Sequence, residues 1–148
     1  MRCLIRVNTK TFIASFVAAF AAMFTLSVLF YSLILSDTIS RHIDPAFLQE
    51  PPGYCCIVLG YVALAVLMSW VYPHYRVGDG PIWQRGLRFG IIMGLLWVFP
   101  LSLVLHGVYR LPFTIVVIDT LWALVEQGAG GVVIAAIYQR ADKSRAPS

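Results

Sequence analysis

The chain has 148 residues, 59% of them hydrophobic and 12% charged, with a mean hydropathy of +0.80. A soluble domain carries about 45–50% apolar and about 25% charged residues, so a large soluble core is excluded and a membrane protein is implied. The formal charge of +4 sits beside hydrophobic segments and is read as topology, not as a nucleic-acid footprint.

Met1 to Lys10 is a short basic arm with Arg2, Arg6 and Lys10. No charge occurs from Thr11 to Leu35, a run that covers roughly 37 Å as a helix and crosses about 30 Å of hydrocarbon with tilt. A secretory signal competes for this stretch, with Ala19-Phe20-Ala21 as its small-x-small site. A signal core holds only about 7–15 apolar residues and this run continues well past the site, so it is read as a retained first span. Ser36 to Pro52 is a polar loop with Asp37, Arg41, His42, Asp44 and Glu50. Within it, Ile43 to Leu48 predicts a short interfacial helix capped by Asp44, with Pro45 in its first turn.

The second span begins at Tyr54 and is expected to end at Pro73. A polar connection follows, with a turn at Gly78 to Pro81. The third span runs from about Gln84 to Gly107 with Pro100 inside it, a tight turn surrounds Arg110, and Pro112 opens the fourth. The fold class is therefore an all-α, integral membrane bundle of four transmembrane helices. It forms a single membrane domain over 1–148, with spans at about 11–35, 54–73, 84–107 and 112–138.

Lys and Arg set orientation. The chain has 11 of them. Arg41 and Arg110 fall on one side; the amino-terminal arm, the 74–88 connection and the carboxy-terminal tail hold the rest on the other. That bias places both termini in the cytoplasm. Trp70, Tyr72, Tyr75 and Trp83 are assigned to an aromatic belt at the inner boundary, and Tyr54 and Tyr109 to the outer one.

Helices in lipid associate through close backbone approach and hydrogen bonds. Gly86, Gly90 and Gly94 repeat every fourth residue in the third span, as do Ala14, Ala18 and Ala22 in the first, and the fourth carries Gly128, Gly130 and Gly131. These stripes predict tight contacts, preferentially within one chain because four spans already need many interfaces. Cys3, Cys55 and Cys56 have neither a disulfide nor a metal-ligand pattern and are read as small residues at a membrane edge.

The chemistry concentrates in the fourth span, which carries Asp119 and Glu126. A carboxylate at the centre of a spanning helix costs roughly 2.5–3.5 kcal/mol on insertion scales. The two lie on one face, because their separation is close to two helical turns. Folding the last two spans about Tyr109 and Arg110 puts Asp119 level with Pro100, and Glu126 level with Met93 and Gly94. Asp119 then has two sets of partners: Arg110 or His106 at the outer boundary, or Ser102 and the carbonyl of Leu96 that Pro100 frees. Glu126, with Gln127 beside it, fits a notch at Gly90–Gly94. It reads as a neutral helix–helix contact, a proton-carrying carboxyl, a cation ligand, or a contact to a cofactor or partner subunit. His42, His74 and His106 are dispersed and lack metal-site spacing. No catalytic triad, phosphate loop or dinucleotide fingerprint occurs, and the sequence specifies no cofactor.

A glycine-spaced third span containing a proline, then a proline-led fourth span with Ile118-Asp119-Thr120-Leu121-Trp122 and a later glycine cluster, resembles small bacterial four-helix membrane proteins of unknown function. The resemblance covers mainly 84–138. It implies a multi-pass bacterial-type inner-membrane protein and transfers no activity.

Two functions follow. The first is a structural or accessory membrane protein, embedded in the lipid bilayer and acting in a homo-oligomer or as a subunit of a larger membrane complex. The alternative is a minimal transporter or channel that uses Glu126 and Asp119 for proton or cation handling. A membrane enzyme acting on a lipid or quinone would need more polar residues at bilayer depth than the chain supplies.

Overall fold

The computed structural model describes residues 8–35, 52–75, 80–108 and 112–144. Regular structure among them is entirely helical: α1 (Thr9–Phe30), continued by a π-helical turn at Tyr31–Leu35, then α2 (Tyr54–Tyr75), α3 (Ile82–Val108) and α4 (Phe113–Lys143). All four helices are long and apolar enough to cross a membrane. The expected interfacial helix at 43–48 and the tight turn at Arg110 lie outside the described residues. So do Gly78 and Asp79 of the predicted turn, while Gly80 has a φ of 129°, a value that L side chains rarely adopt.

Asn8 caps α1, its side-chain oxygen accepting the backbone N–H of Lys10 at 3.1 Å. The helix buries Thr11, Ser15, Ala19, Met23, Ser27 and Phe30. Their spacing of about four residues makes one stripe. The predicted stripe of Ala14, Ala18 and Ala22 lies to one side of it and is partly exposed. Packing in lipid needs close fit more than small size alone, and here polar Ser15 and Ser27 and flexible Met23 supply the buried face.

α4 is the hub. It buries half of its most apolar window, against 22% for α1 and α2 and 11% for α3. Its closest neighbour is α3, and the reason is glycine. A Cβ added at Gly86 would lie 2.7 Å from the Gly131 carbonyl oxygen and the Val132 Cα. One added at Gly90 would meet the Gln127 carbonyl and the Gly128 Cα. One at Gly94 would lie 3.0 Å from the Ala123 carbonyl oxygen. Two backbones therefore touch along an antiparallel hairpin, as small residues permit. On another face of α4, Gly130 accommodates Met23 of α1. Phe30 and Trp122 stack at 4.0 Å between ring centroids, with planes 4° apart, so α1 also runs antiparallel to α4.

α2 continues to Tyr75, past the expected stop at Pro73. A proline removes its N–H and orphans the carbonyl four residues earlier, here that of Ser69. The Tyr138 hydroxyl of α4 donates to that carbonyl at 2.9 Å, so the orphan is satisfied from outside the helix. The same region corrects the aromatic belt. Tyr72 is 2% exposed and packs on Phe89 and Tyr138, with centroids at 5.2 and 5.6 Å. It is a core residue, because α3 and α4 bring rings to a face that a boundary assignment leaves to lipid. α2 meets α3 only sparsely, and the gap between them opens beside α4.

Candidate functional site

The site grows from one face of α4. Asp119, Trp122 and Glu126 follow at three and four residues and so point the same way. Ser27 of α1 and Tyr31, one turn on where the π-helical turn begins, stand opposite in antiparallel order. Such turns recur at functional sites because they re-aim side chains.

Two hydrogen-bonded groups result. Tyr31 donates to Asp119 Oδ1 at 2.6 Å, and Ser102 of α3 donates to Asp119 Oδ2 at 3.1 Å. Seven residues on, the Tyr61 hydroxyl of α2 donates to Glu126 Oε2 at 3.2 Å and lies 2.5 Å from the Ser27 hydroxyl. A phenol has one hydrogen. With it given to Glu126, Ser27 is the donor to Tyr61, and the chain runs Ser27 to Tyr61 to Glu126. Every helix thus contributes a polar group, and Glu126 is 4% exposed.

Tyr31, Tyr61, Ser102, Asp119 and Glu126 line a cavity of about 260 Å³ between α2, α3 and α4, together with Gln127, Trp97 and Trp122, whereas Ser27 lies outside it. A second, mostly apolar cavity of about 790 Å³ lies between α1 and α2. Tyr31, Cys56, Ile57 and Tyr61 line both. No family model, curated protein or solved structure matches the chain. What the site does must therefore be argued from its geometry.

Of the residues singled out in the sequence, Asp119, Glu126, Gln127 and Ser102 come together around the cavity. His106 does not line it; its ring lies 5.7 Å from that of Phe113. Arg110 lies outside the described residues. The notch at Gly90–Gly94 does not take Glu126. The α4 backbone at Ala123, Gln127 and Gly128 fills it, and Glu126 turns toward α1 and α2. Gln127 is the side chain nearest Gly94. Sequence reasoning missed Ser27, Tyr31 and Tyr61. Tyr61 had a signal: a phenol deep in an apolar span must find a polar partner.

Chemically, the site can hold positive charge. Two carboxyl groups face the cavity, with hydroxyl donors that fix their orientation. Among the described residues no group of three or more His, Cys, Asp and Glu side chains could hold a metal ion.

Proposed function

We propose that this is a small multi-pass membrane protein that binds a proton or another cation at Asp119 and Glu126 and passes it along its helices, a minimal transporter. The observation that carries the reading is the connected set of Asp119, Glu126, Tyr31 and Tyr61 around one cavity at bilayer depth. Ionisable groups placed so are expensive, and such placement is characteristic of ion and proton pathways. The basic residues at the Asn8–Lys143 end support a cytoplasmic position for both termini, and the resemblance of 84–138 supports a bacterial-type inner membrane. Because four helices leave little room for a pore, the working unit is an oligomer of this chain or a complex with other membrane subunits.

The test is flux. Purified protein is reconstituted in liposomes that carry a pH-sensitive dye, beside Glu126→Gln, and proton and sodium entry are followed under an imposed potential. The unaltered protein conducts and Glu126→Gln is slowed at least about tenfold, a modest effect for removing an essential ionisable group. Equal flux in both, or none in either, removes the reading.

α3 favours a second reading, that of an accessory subunit. It has the smallest buried share of the four helices, and Leu96, Val104 and Val108 are each at least 60% exposed. Such a face suits another membrane helix as well as it suits lipid. Crosslinking from cysteines placed at Leu96 and Val104 in native membranes tests it: monomeric products alone count against a partner.

A further inference from the structure

We infer that the cavity binds a small organic amine in its ammonium form, a primary or secondary ammonium with a compact apolar substituent. This rests on the cation-handling reading above and names the cation. The first argument is the balance of donors and acceptors. Tyr31 and Ser102 each spend their hydrogen on Asp119, Tyr61 spends its own on Glu126, and Ser27 donates to Tyr61. A carboxylate offers about four acceptor positions, so both retain free ones. Gln127 also lines the cavity, but its Oε1 is closed off against Gly94 of α3 and takes no part. The Trp122 indole stands beside the Glu126 carboxyl and fills one of its acceptor positions, which leaves others open on both carboxyl groups. The occupant must therefore bring donors and positive charge, which rules out anions and uncharged acceptors.

The second argument is the apolar part of the lining. Trp97, Trp122, Tyr31 and Tyr61 bring aromatic rings to the cavity, with Ile57 and Leu101 among the aliphatic residues. Aromatic rings attract organic cations through their faces, and more strongly where water is excluded. A hydrated alkali ion gains nothing from such walls. It would also have to exchange its water for many oxygen ligands, as hard cations do. A quaternary ammonium suits the rings but has no N–H for the carboxyl groups. Size fits as well: about 260 Å³ lies just under the roughly 300–1,000 Å³ of pockets that hold drug-sized ligands, so the substituent is small.

The experiment uses the full chain in nanodiscs, with n-butylammonium, tetramethylammonium and sodium as probes and indole fluorescence as the signal. n-Butylammonium binds saturably and at least about tenfold more tightly than tetramethylammonium or sodium, the ratio set by one good hydrogen bond to a buried acceptor. Asp119→Asn, which keeps volume and replaces acceptor positions with N–H donors, narrows that preference; Asp119→Glu, which restores the carboxyl, recovers it. Absence of saturable n-butylammonium binding overturns the inference, as does equal affinity for tetramethylammonium. A preference that Asp119→Asn leaves unchanged overturns it too. If either variant fails to fold, the probe series on the unaltered protein still decides. The two readings fail separately: Glu126-dependent proton flux without amine binding removes the amine alone, whereas amine binding without any flux removes transport and leaves the site.

Discussion

Tyr31 of α1 donates its hydroxyl to Asp119 of α4 at 2.6 Å, across an interface that also stacks Phe30 on Trp122. The bond joins the first and last spans directly. It also occupies one carboxyl oxygen while Ser102 of α3 occupies the other. In hydrocarbon an unsatisfied polar group has no water to turn to. The pair therefore contributes to stability and fixes the direction in which Asp119 faces the cavity.

That pair is measurable by a double-mutant cycle of Tyr31→Phe and Asp119→Asn, with unfolding followed in mixed detergent micelles. Interhelical hydrogen bonds in membranes couple by about 0.6 kcal/mol on average and by about 1.7 kcal/mol at most. The coupling here is expected in the upper half of that range, because the bond is short at 2.6 Å. A cycle that closes to within about 0.2 kcal/mol shows that the hydroxyl and the carboxylate do not meet in the folded protein.

Glycine substitutions should divide sharply. Gly90→Ala drives a methyl group into the Gln127 carbonyl and the Gly128 Cα, both backbone atoms that cannot swing away. The helices must separate, at a cost of about 1–3 kcal/mol for overpacking. Gly107→Ala meets nothing within 4 Å. It should be neutral or gain up to about 1 kcal/mol from lower chain entropy. Gly130→Ala belongs between them, because the obstacle is the flexible end of Met23. Thermal unfolding of the three variants gives the ranking; equal loss at Gly90 and Gly107 means that α3 and α4 do not touch.

The difference between those glycines bears on what sequence alone could convey. Uncharged runs mark helices, because nothing else long and apolar satisfies its own backbone in lipid. A stripe such as Gly86, Gly90 and Gly94 marks a contact, and Pro112 close after α3 makes α4 its neighbour. Which residues on α1 and α2 face Asp119 and Glu126 is another matter, since periodicity describes one helix and not its rotation against a second. Tyr31, Tyr61 and Ser27 were therefore hidden. Tyr72 was assigned to the wrong environment for the same reason, as its neighbours Phe89 and Tyr138 belong to other helices. Pro73 was expected to end α2 because a proline normally does; the partner that cancels its cost lies 69 residues along the chain from the Ser69 carbonyl it frees.

That cancellation predicts an unusual rescue. Tyr138→Phe leaves the Ser69 carbonyl without a donor and should destabilise the protein by about 1–3 kcal/mol. Pro73→Ala restores an N–H at position 73 that can reach the same carbonyl along the helix. In the Pro73→Ala background, Tyr138→Phe should therefore cost clearly less. The four proteins are compared by unfolding in detergent. An identical cost of Tyr138→Phe in both backgrounds shows that the hydroxyl does not compensate the proline.

The relay at Glu126 distinguishes a structural hydroxyl from one that serves the cation. Tyr61 stands between Ser27 and Glu126 and is bonded to both, whereas Ser27 is bonded to Tyr61 and interacts with the carboxyl less strongly than Tyr61 does. Tyr61→Phe removes the donor to Glu126 and strands Ser27 at once; Ser27→Ala removes only the outer hydrogen bond. If the relay orients the carboxyl for cation binding, Tyr61→Phe lowers liposomal flux by about tenfold, roughly the value of one hydrogen bond to a charged group. Ser27→Ala then changes flux by less than about threefold, because the carboxyl keeps its own partner. Stability should follow the same order but by smaller steps, since Ser27 can turn its hydroxyl to a carbonyl in the preceding turn of α1. Equal flux in the two variants, at equal protein per liposome, separates Tyr61 from cation handling and leaves it a purely structural contact.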